Sequence, residues 1–270
     1  MNEKDLELII AGLKQKRPIF HSEADFQYSL AREIRKMFPD TDVLLEWKFG
    51  NRHLDIFVKI NDDSYAIELK YLTKKTKPEV IDINNEQFYL KTQVPAVDAY
   101  NCLKDIQRIE ELSDTHGFKA GFVIWLTNDN YHWMKPSGRQ DTQFEDFRIY
   151  DGITKTGEMK WKEGAKLQKS YEKPLNLTCS YEINWKHYSD IKQSAENDEF
   201  KYAILTIDPV KIPYTNTMKS TIQDRMNDPW WKETTDEETK KSFKSMVKKA
   251  EEIDKEIEKI KKKKKTNEQE

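Results

Sequence analysis

The 270-residue chain predicts an α/β fold: an α-β-β-β-α-β core with a mixed central sheet, followed by additional C-terminal strands and a helical C-terminal arm. Three observations carry this. Helical periodicity dominates residues 3–38 and returns at about 97–115. Three strand-like segments joined by short turn-forming connectors fill residues 42–72. A near-continuous apolar run, KAGFVIWL at 119–126, follows the third helix and marks a strand covered on both faces.

Taken in order, residues 3–16 place Leu6, Ile9, Ile10 and Leu13 on one side of a short helix that Pro18 ends. In HSEADFQYSLAREIRKMFPD, Ser22 is positioned to cap the next helix, and Pro39 follows its end. Its apolar stripe runs Leu30, Ile34, Met37, and the same spacing carried backwards lands on Gln27 and Glu23, two polar groups on a face expected to be buried. The segments DVLLEWKF (42–49), HLDIFVKI (53–60) and YAIELKYL (65–72), with connectors Gly50-Asn51-Arg52 and Asn61 to Ser64, predict an antiparallel meander.

A long polar loop is expected from Thr73 to about Pro95, then a helix with Leu103, Ile106, Ile109 and Leu112 inward and Gly117 past its end. Residues 128–170 read as an irregular, aromatic-rich insertion, with strands at 175–185 and 199–207 beyond it. From Asp208 the character changes to an extended link and a helix over about 235–263, with Phe243, Met246, Ala250, Ile253, Ile257 and Ile260 at 3–4 spacing. That tail is expected to pack on the body or to make a homodimer. The resulting division is an N-terminal helix (1–19), a main domain (20–208, core 20–127) and the link and arm with a lysine-rich end (209–270).

Composition narrows the function classes. With 37% hydrophobic and 35% charged residues and a formal charge of -2, there is no bulk basic field, so any phosphate-binding surface is local. No apolar run is long enough to cross a bilayer and the N-terminus does not read as a signal peptide, so no membrane partner and a cytoplasmic location are expected. Cys102 and Cys179 stand far apart without histidines at ligand spacing and are read as buried small hydrophobes.

The hairpin HLDIFVKINDDSYAIELKYL carries charge where apolar residues are expected. Ala66, Glu68 and Lys70 share one face of the third strand, and a turn at 61–64 would put Asp55 opposite Lys70 with Glu68 diagonal to it. Two carboxylates with the Leu69 carbonyl make a hard oxygen set suited to Mg²⁺, with Mn²⁺ as a substitute, and Lys70 beside them would orient a metal-activated water. Glu23 would add a further metal ligand and Gln27 would position it.

This arrangement resembles the PD-(D/E)XK nuclease superfamily, the restriction-endonuclease-like fold, over about residues 20–127. Asp55 matches the acid of the second strand, Glu68-Leu69-Lys70 the E-X-K of the third, and Glu23 the acid of the first helix; no proline precedes Asp55. The resemblance implies a Mg²⁺-dependent nuclease acting on DNA rather than RNA, an endonuclease rather than an exonuclease, with Glu23, Asp55, Glu68, Lys70 and Gln27 catalytic and Asp55, Glu68, Leu69 and Glu23 holding the metal. The alternative is an inactive nucleic-acid- or protein-binding module on the same fold. Glu46-Trp47-Lys48, Glu158-Met159-Lys160 and Glu199-Phe200-Lys201 also spell acid-X-lysine, but only 68–70 has an acid in the preceding strand and the flanking helices.

Lys74, Lys75, Lys91, Lys104 and Arg108 are the candidate contacts to DNA phosphates, and Gln93 and Asp105 fall near the same rim. His53 shares the face of Asp55 and reads as an ordinary strand histidine. Trp125 reads as core and the rest of TNDNYHWMKPS as folded loop, with base stacking the alternative.

Overall fold

The computed structural model describes residues 1–49, 52–137, 142–165, 171, 173–192 and 194–212. The chain divides into a unit of Met1–Ile212 and a unit of Pro213–Glu270. The expected tail helix, its lysine run and any dimer built on it lie outside the described residues.

Helix α1 (Glu3–Lys16) opens with a reciprocal cap: Asn2 Oδ1 accepts the Asp5 amide and Asp5 accepts the Asn2 amide. Its Leu6, Ile9, Ile10 and Leu13 are buried in the main core, so the helix belongs to the body of the fold. Helix α2 (Glu23–Met37) is capped by Ser22, whose hydroxyl accepts the Asp25 amide at 3.2 Å. Phe26, Leu30 and Ile34 point inward, whereas Met37 is exposed, so the stripe ends one turn earlier than its spacing implies.

Strands β1 (Thr41–Phe49), β2 (Arg52–Ile60) and β3 (Asp63–Leu72) form the expected antiparallel meander. The segment after β3 is not a plain loop: β4 (Val80–Ile83) and β5 (Glu86–Tyr89) make a hairpin across Asn84 and Asn85, both with positive φ, and Ile81 and Phe88 bury its inner side. Helix α3 (Pro95–His116) buries Leu103, Ile106, Ile109 and Leu112 and ends at Gly117 with φ 63. Strand β6 (Ala120–Thr127) then enters parallel to β3, the crossover geometry a helical connection allows.

Beyond it come β7 (Thr154–Met159), β8 (Leu175–Glu182), β9 (Lys186–Asp190) and β10 (Glu199–Ile207). The result is a mixed six-stranded sheet in the order β1-β2-β3-β6-β10-β9. The strand expected at 175–185 is β8, which pairs with β7 in a separate ribbon, and the polar stretch before β10 contains β9. Helices α1 and α2 cover one face of the sheet through Ile56, Val58, Ile67 and Leu69; α3 and the β7–β8 ribbon cover the other through Val123, Trp125 and Leu205. Trp125 is core, as expected, and Trp133, expected as part of a folded loop, is buried in the same cluster. Cys102 is buried, but Cys179 is half-buried, its thiol donating to the Lys211 carbonyl, because β8 lies in the outer ribbon. Among the described residues no helix is long and apolar enough to cross a membrane.

Candidate active site

The β2–β3 ladder runs from Ile60↔Asp63 through Phe57↔Ala66 to Ile56↔Ile67 around a two-residue turn, Asn61-Asp62. This tighter turn shifts the register by two residues from the expectation, setting Asp55 across from Glu68 instead of Lys70. Because the shift is even, the β2 residues inside the ladder, Ile56 to Ile60, keep their faces.

The ladder stops at Ile67, and there the two strands fork. Two carboxylates take over the amides that β2 leaves unpaired: Asp55 Oδ2 accepts Leu69 N–H at 2.7 Å, and Glu23 Oε2 accepts Tyr71 N–H at 2.8 Å. Glu23 reaches the strand from the first turn of α2 and Asp55 from β2, so helix and strand are both tied to the edge of β3 through acids.

A local distortion aims Asp55. The β1–β2 ladder pairs Leu45↔Ile56 and Trp47↔Leu54 but skips Glu46 and Asp55 between them. Glu46 has φ 49, a left-handed conformation a glutamate adopts at a cost. Across the break β2 changes face: Ile56 packs in the α2-side core, while Leu54 packs with Ala66, Leu112 and Phe118 on the α3 side. Gln27, buried as its position in the stripe implies, clamps the break by donating to the Asp55 carbonyl at 2.6 Å and to Glu46 Oε1 at 2.8 Å.

Glu68 and Lys70 face α3. The Lys70 ammonium lies 2.8 Å from Asp105 Oδ2, 2.8 Å from the Leu69 carbonyl oxygen and 3.8 Å from Glu23 Oε1. Burial alone would lower the pKa of Lys70, but Asp105, Glu23 and Asp55 outweigh it, raise the pKa and hold the side chain as a cation. Burial raises the pKa of Glu23, and the neighbouring charges of Asp55 and Glu46 add to this against the pull of Lys70 and the Tyr71 amide. Glu68 is fully buried, and its carboxylate is met by Arg108, which also lies 3.7 Å from Asp105.

Glu23, Asp55, Lys70 and Gln27 therefore meet at the fork, with Glu68 beneath α3 alongside. The expected metal set of Asp55, Glu68, Leu69 and Glu23 is not poised as a cage, and no group of three or more His, Cys, Asp or Glu suited to a metal exists among the described residues. The reason is electrostatic: Lys70 takes the Leu69 carbonyl and Arg108 takes Glu68. In donor chemistry the set still fits a hard divalent cation. One oxygen each of Asp55 and Glu23 is committed to an amide, the second oxygen of Glu23 lies 3.8 Å from the Lys70 ammonium, and Glu68 and the Leu69 carbonyl supply further oxygens once their cations shift.

Of the expected phosphate contacts, Arg108 is turned inward as the counter-ion of Glu68. Lys74 pairs with Asp129 at 3.2 Å and Lys75 with Glu79 at 3.2 Å, while Lys91 and Lys104 are exposed. His53 is exposed. Glu46, which by sequence is one of several acid-X-lysine acids, proves to be part of the site; the sign of it was the β1–β2 register, in which Glu46 falls across from Asp55. Asp105 is drawn in because it lies on the inward face of α3, a charged residue between Cys102 and Ile109. Gln93 joins through Thr73: its Oε1 accepts the Thr73 amide at 3.1 Å.

Compared with protein-family models, with curated proteins and with solved structures, the chain finds no match.

Proposed function

We propose that this chain is a Mg²⁺-dependent nuclease of restriction-endonuclease-like fold that hydrolyses phosphodiester bonds in DNA. The observation that carries the reading is the fork: Asp55 and Glu23 anchored on alternate amides of β3, with the Lys70 ammonium 3.8 Å from Glu23 and Glu68 one residue before Leu69. The α-β-β-β-α-β order, with three antiparallel strands and a fourth parallel to the third, supports it.

When bound, Mg²⁺ would supply an acidified water and offset charge building on the phosphorus. Asp55, Glu68, Glu23 and the Leu69 carbonyl are the groups that would hold it. Asp55 and Glu23 are pre-aimed, since each has one oxygen locked on a backbone amide and cannot rotate freely. Lys70, held as a cation, donates to the attacking water or to a non-bridging phosphate oxygen and does not take a proton. Gln27 fixes the Asp55 backbone. Two thiols without a disulfide fit the reducing cytoplasm.

One observation favours a second reading. Glu68–Arg108 and Lys70–Asp105 already balance their own charges, as in a binding module that needs no metal. Incubation of supercoiled plasmid with the full chain in Mg²⁺, Mn²⁺ or EDTA decides between them. The nuclease reading expects nicking or linearisation with metal, none in EDTA, and loss in Glu68→Ala and Lys70→Ala. An intact circle under every condition, with plasmid binding retained, favours the module.

A further inference from the structure

We propose that the cleft beside Glu23 seats one unpaired nucleotide of the DNA strand, its base against Tyr89 and its phosphate at Lys91; the assignment rests on the nuclease reading and specifies its substrate. The cleft has a volume of about 340 Å³ and is lined by His21, Glu23, Tyr71, Tyr89, Lys91 and Gln93 among others. That is the lower end of the range for small-ligand sites, roomy enough for a single nucleotide and too small for a duplex. Because Glu23 both lines the cleft and reaches Lys70, a strand lying here runs straight into the fork.

Its outer wall is β5. Strand alternation buries Phe88 (3% exposed) and turns Tyr89 outward (59% exposed), presenting a flat ring at the cleft. That wall is fixed to the start of α2. His21 stacks on Phe88 with ring centroids 4.3 Å apart and planes 16° apart, and Glu86 Oε1 lies 2.7 Å from His21 Nε2 while pairing with Arg17 at 3.2 Å. The floor is stitched to the end of β3: the Gln93 amide donates to the Thr73 carbonyl at 3.2 Å and the Thr73 hydroxyl to the Lys91 carbonyl at 2.7 Å. These contacts hold the backbone that carries Tyr89 and Lys91 against the start of α2 and the end of β3, the kind of preorganisation that a seat requires.

The charges set the orientation. Glu23 repels a bare phosphate, whereas Lys91 is an exposed cation of the same lining, so the phosphate of the seated nucleotide is assigned to Lys91. An aromatic platform with a flanking cation is the combination that holds unpaired bases without reading their sequence.

The test is fluorescence anisotropy of the full chain with short labelled oligonucleotides in EDTA: single-stranded DNA, single-stranded RNA of the same sequence and duplex DNA. The expected result is tighter binding of single-stranded DNA than of duplex or RNA. Tyr89→Ala should weaken single-strand binding about tenfold while Tyr89→Phe retains it, and Lys91→Gln should lower the salt slope by about 1. Tyr89 is exposed, and thermal melts of each variant check that folding is unchanged. Equal binding by Tyr89→Ala and wild type, or a preference for duplex, overturns the seat; a Tyr89-dependent preference for RNA overturns the assignment to DNA. Because EDTA removes the metal, failure here leaves plasmid cleavage to be judged by itself, and absent cleavage with intact Tyr89-dependent binding indicts the nuclease reading alone.

Discussion

The Lys70 ammonium and the Asp105 carboxylate are 2.8 Å apart under α3, with side chains 20% and 8% exposed. A pair this buried is costly to break from one side, because the survivor is left as an uncompensated charge. Asp105→Ala is expected to lower unfolding free energy by about 3 kcal/mol in urea titrations. The double variant Asp105→Ala with Lys70→Met should recover much of that loss, since it removes both charges. Additive losses in the double variant would show that the two side chains do not depend on each other.

The carboxylates at the fork predict a response to metal that needs no DNA. If Asp55 and Glu23 take part in holding Mg²⁺, a concentration about ten times the dissociation constant stabilises the folded chain by about 1.4 kcal/mol. Thermal melts in Mg²⁺ against EDTA should therefore show a higher Tm with metal. Asp55→Asn, which keeps the shape and one acceptor for the Leu69 amide, should abolish the difference. An equal Mg²⁺ response in Asp55→Asn would place the metal elsewhere.

Glu46 supplies a separation of stability from function. Its left-handed φ of 49 costs a non-glycine residue about 1 kcal/mol, and its side chain is exposed. Glu46→Gly relieves that strain at the expense of the hydrogen bond from Gln27, so Tm should stay level or rise. Plasmid cleavage should nevertheless fall, because Gln27 loses one of the two partners through which it holds the Asp55 backbone. A drop in Tm with unchanged cleavage would assign Glu46 a purely structural role.

What the sequence conveyed and what it hid divide along physical lines. Helix caps and apolar stripes are local, so Ser22, Gly117 and the Leu103–Leu112 face were legible, and alternation correctly put Glu68 and Lys70 on one face of β3. The register of Asp55 was off by two residues because the turn closes over Asn61-Asp62 rather than four residues. The left-handed Glu46 left no trace in composition, since nothing marks a glutamate for positive φ. The β4–β5 hairpin hid in a polar segment because only Ile81 and Phe88 are buried on it. Arg108 was read as a phosphate contact because charge alone does not say whether a helix residue faces solvent or a buried acid.

At Gly121 the sheet and α3 come too close for a side chain. A Cβ there would lie 2.1 Å from Ile109 Cγ2, well inside contact distance, and Ile109 is fully buried with no room to retreat. Gly121→Ala should therefore destabilise by about 1–3 kcal/mol, against the usual gain from replacing a strand glycine. Ile109→Ala removes the Cγ2 methyl from this spot, and in that background the alanine at 121 should cost measurably less. Urea titration of the four chains reads the coupling; an unchanged cost in the Ile109→Ala background would mean that the clash is not what decides.

Lys155 gives the chain a pH dependence with a definite sign. The side chain is buried in the β7 region, its Nζ donating to the Asp146 carbonyl at 2.8 Å. Burial lowers its pKa to about 8, against the opposing pull of Asp146 and Glu145. The unfolded chain holds this proton up to its ordinary value of 10.5, so between about pH 8 and 10.5 the unfolded state binds more protons and stability rises with pH. Below pH 8 both states are protonated and the full penalty of the buried charge, about 3 kcal/mol, remains. Lys155→Met removes that penalty and gives up one hydrogen bond, for a net gain of about 2 kcal/mol at pH 7. Melts of both chains at pH 7, 9 and 10.5 should show the variant's advantage shrinking to nothing as the wild-type lysine loses its proton. A difference that stays constant across that range would mean that the ammonium is solvated in the folded state.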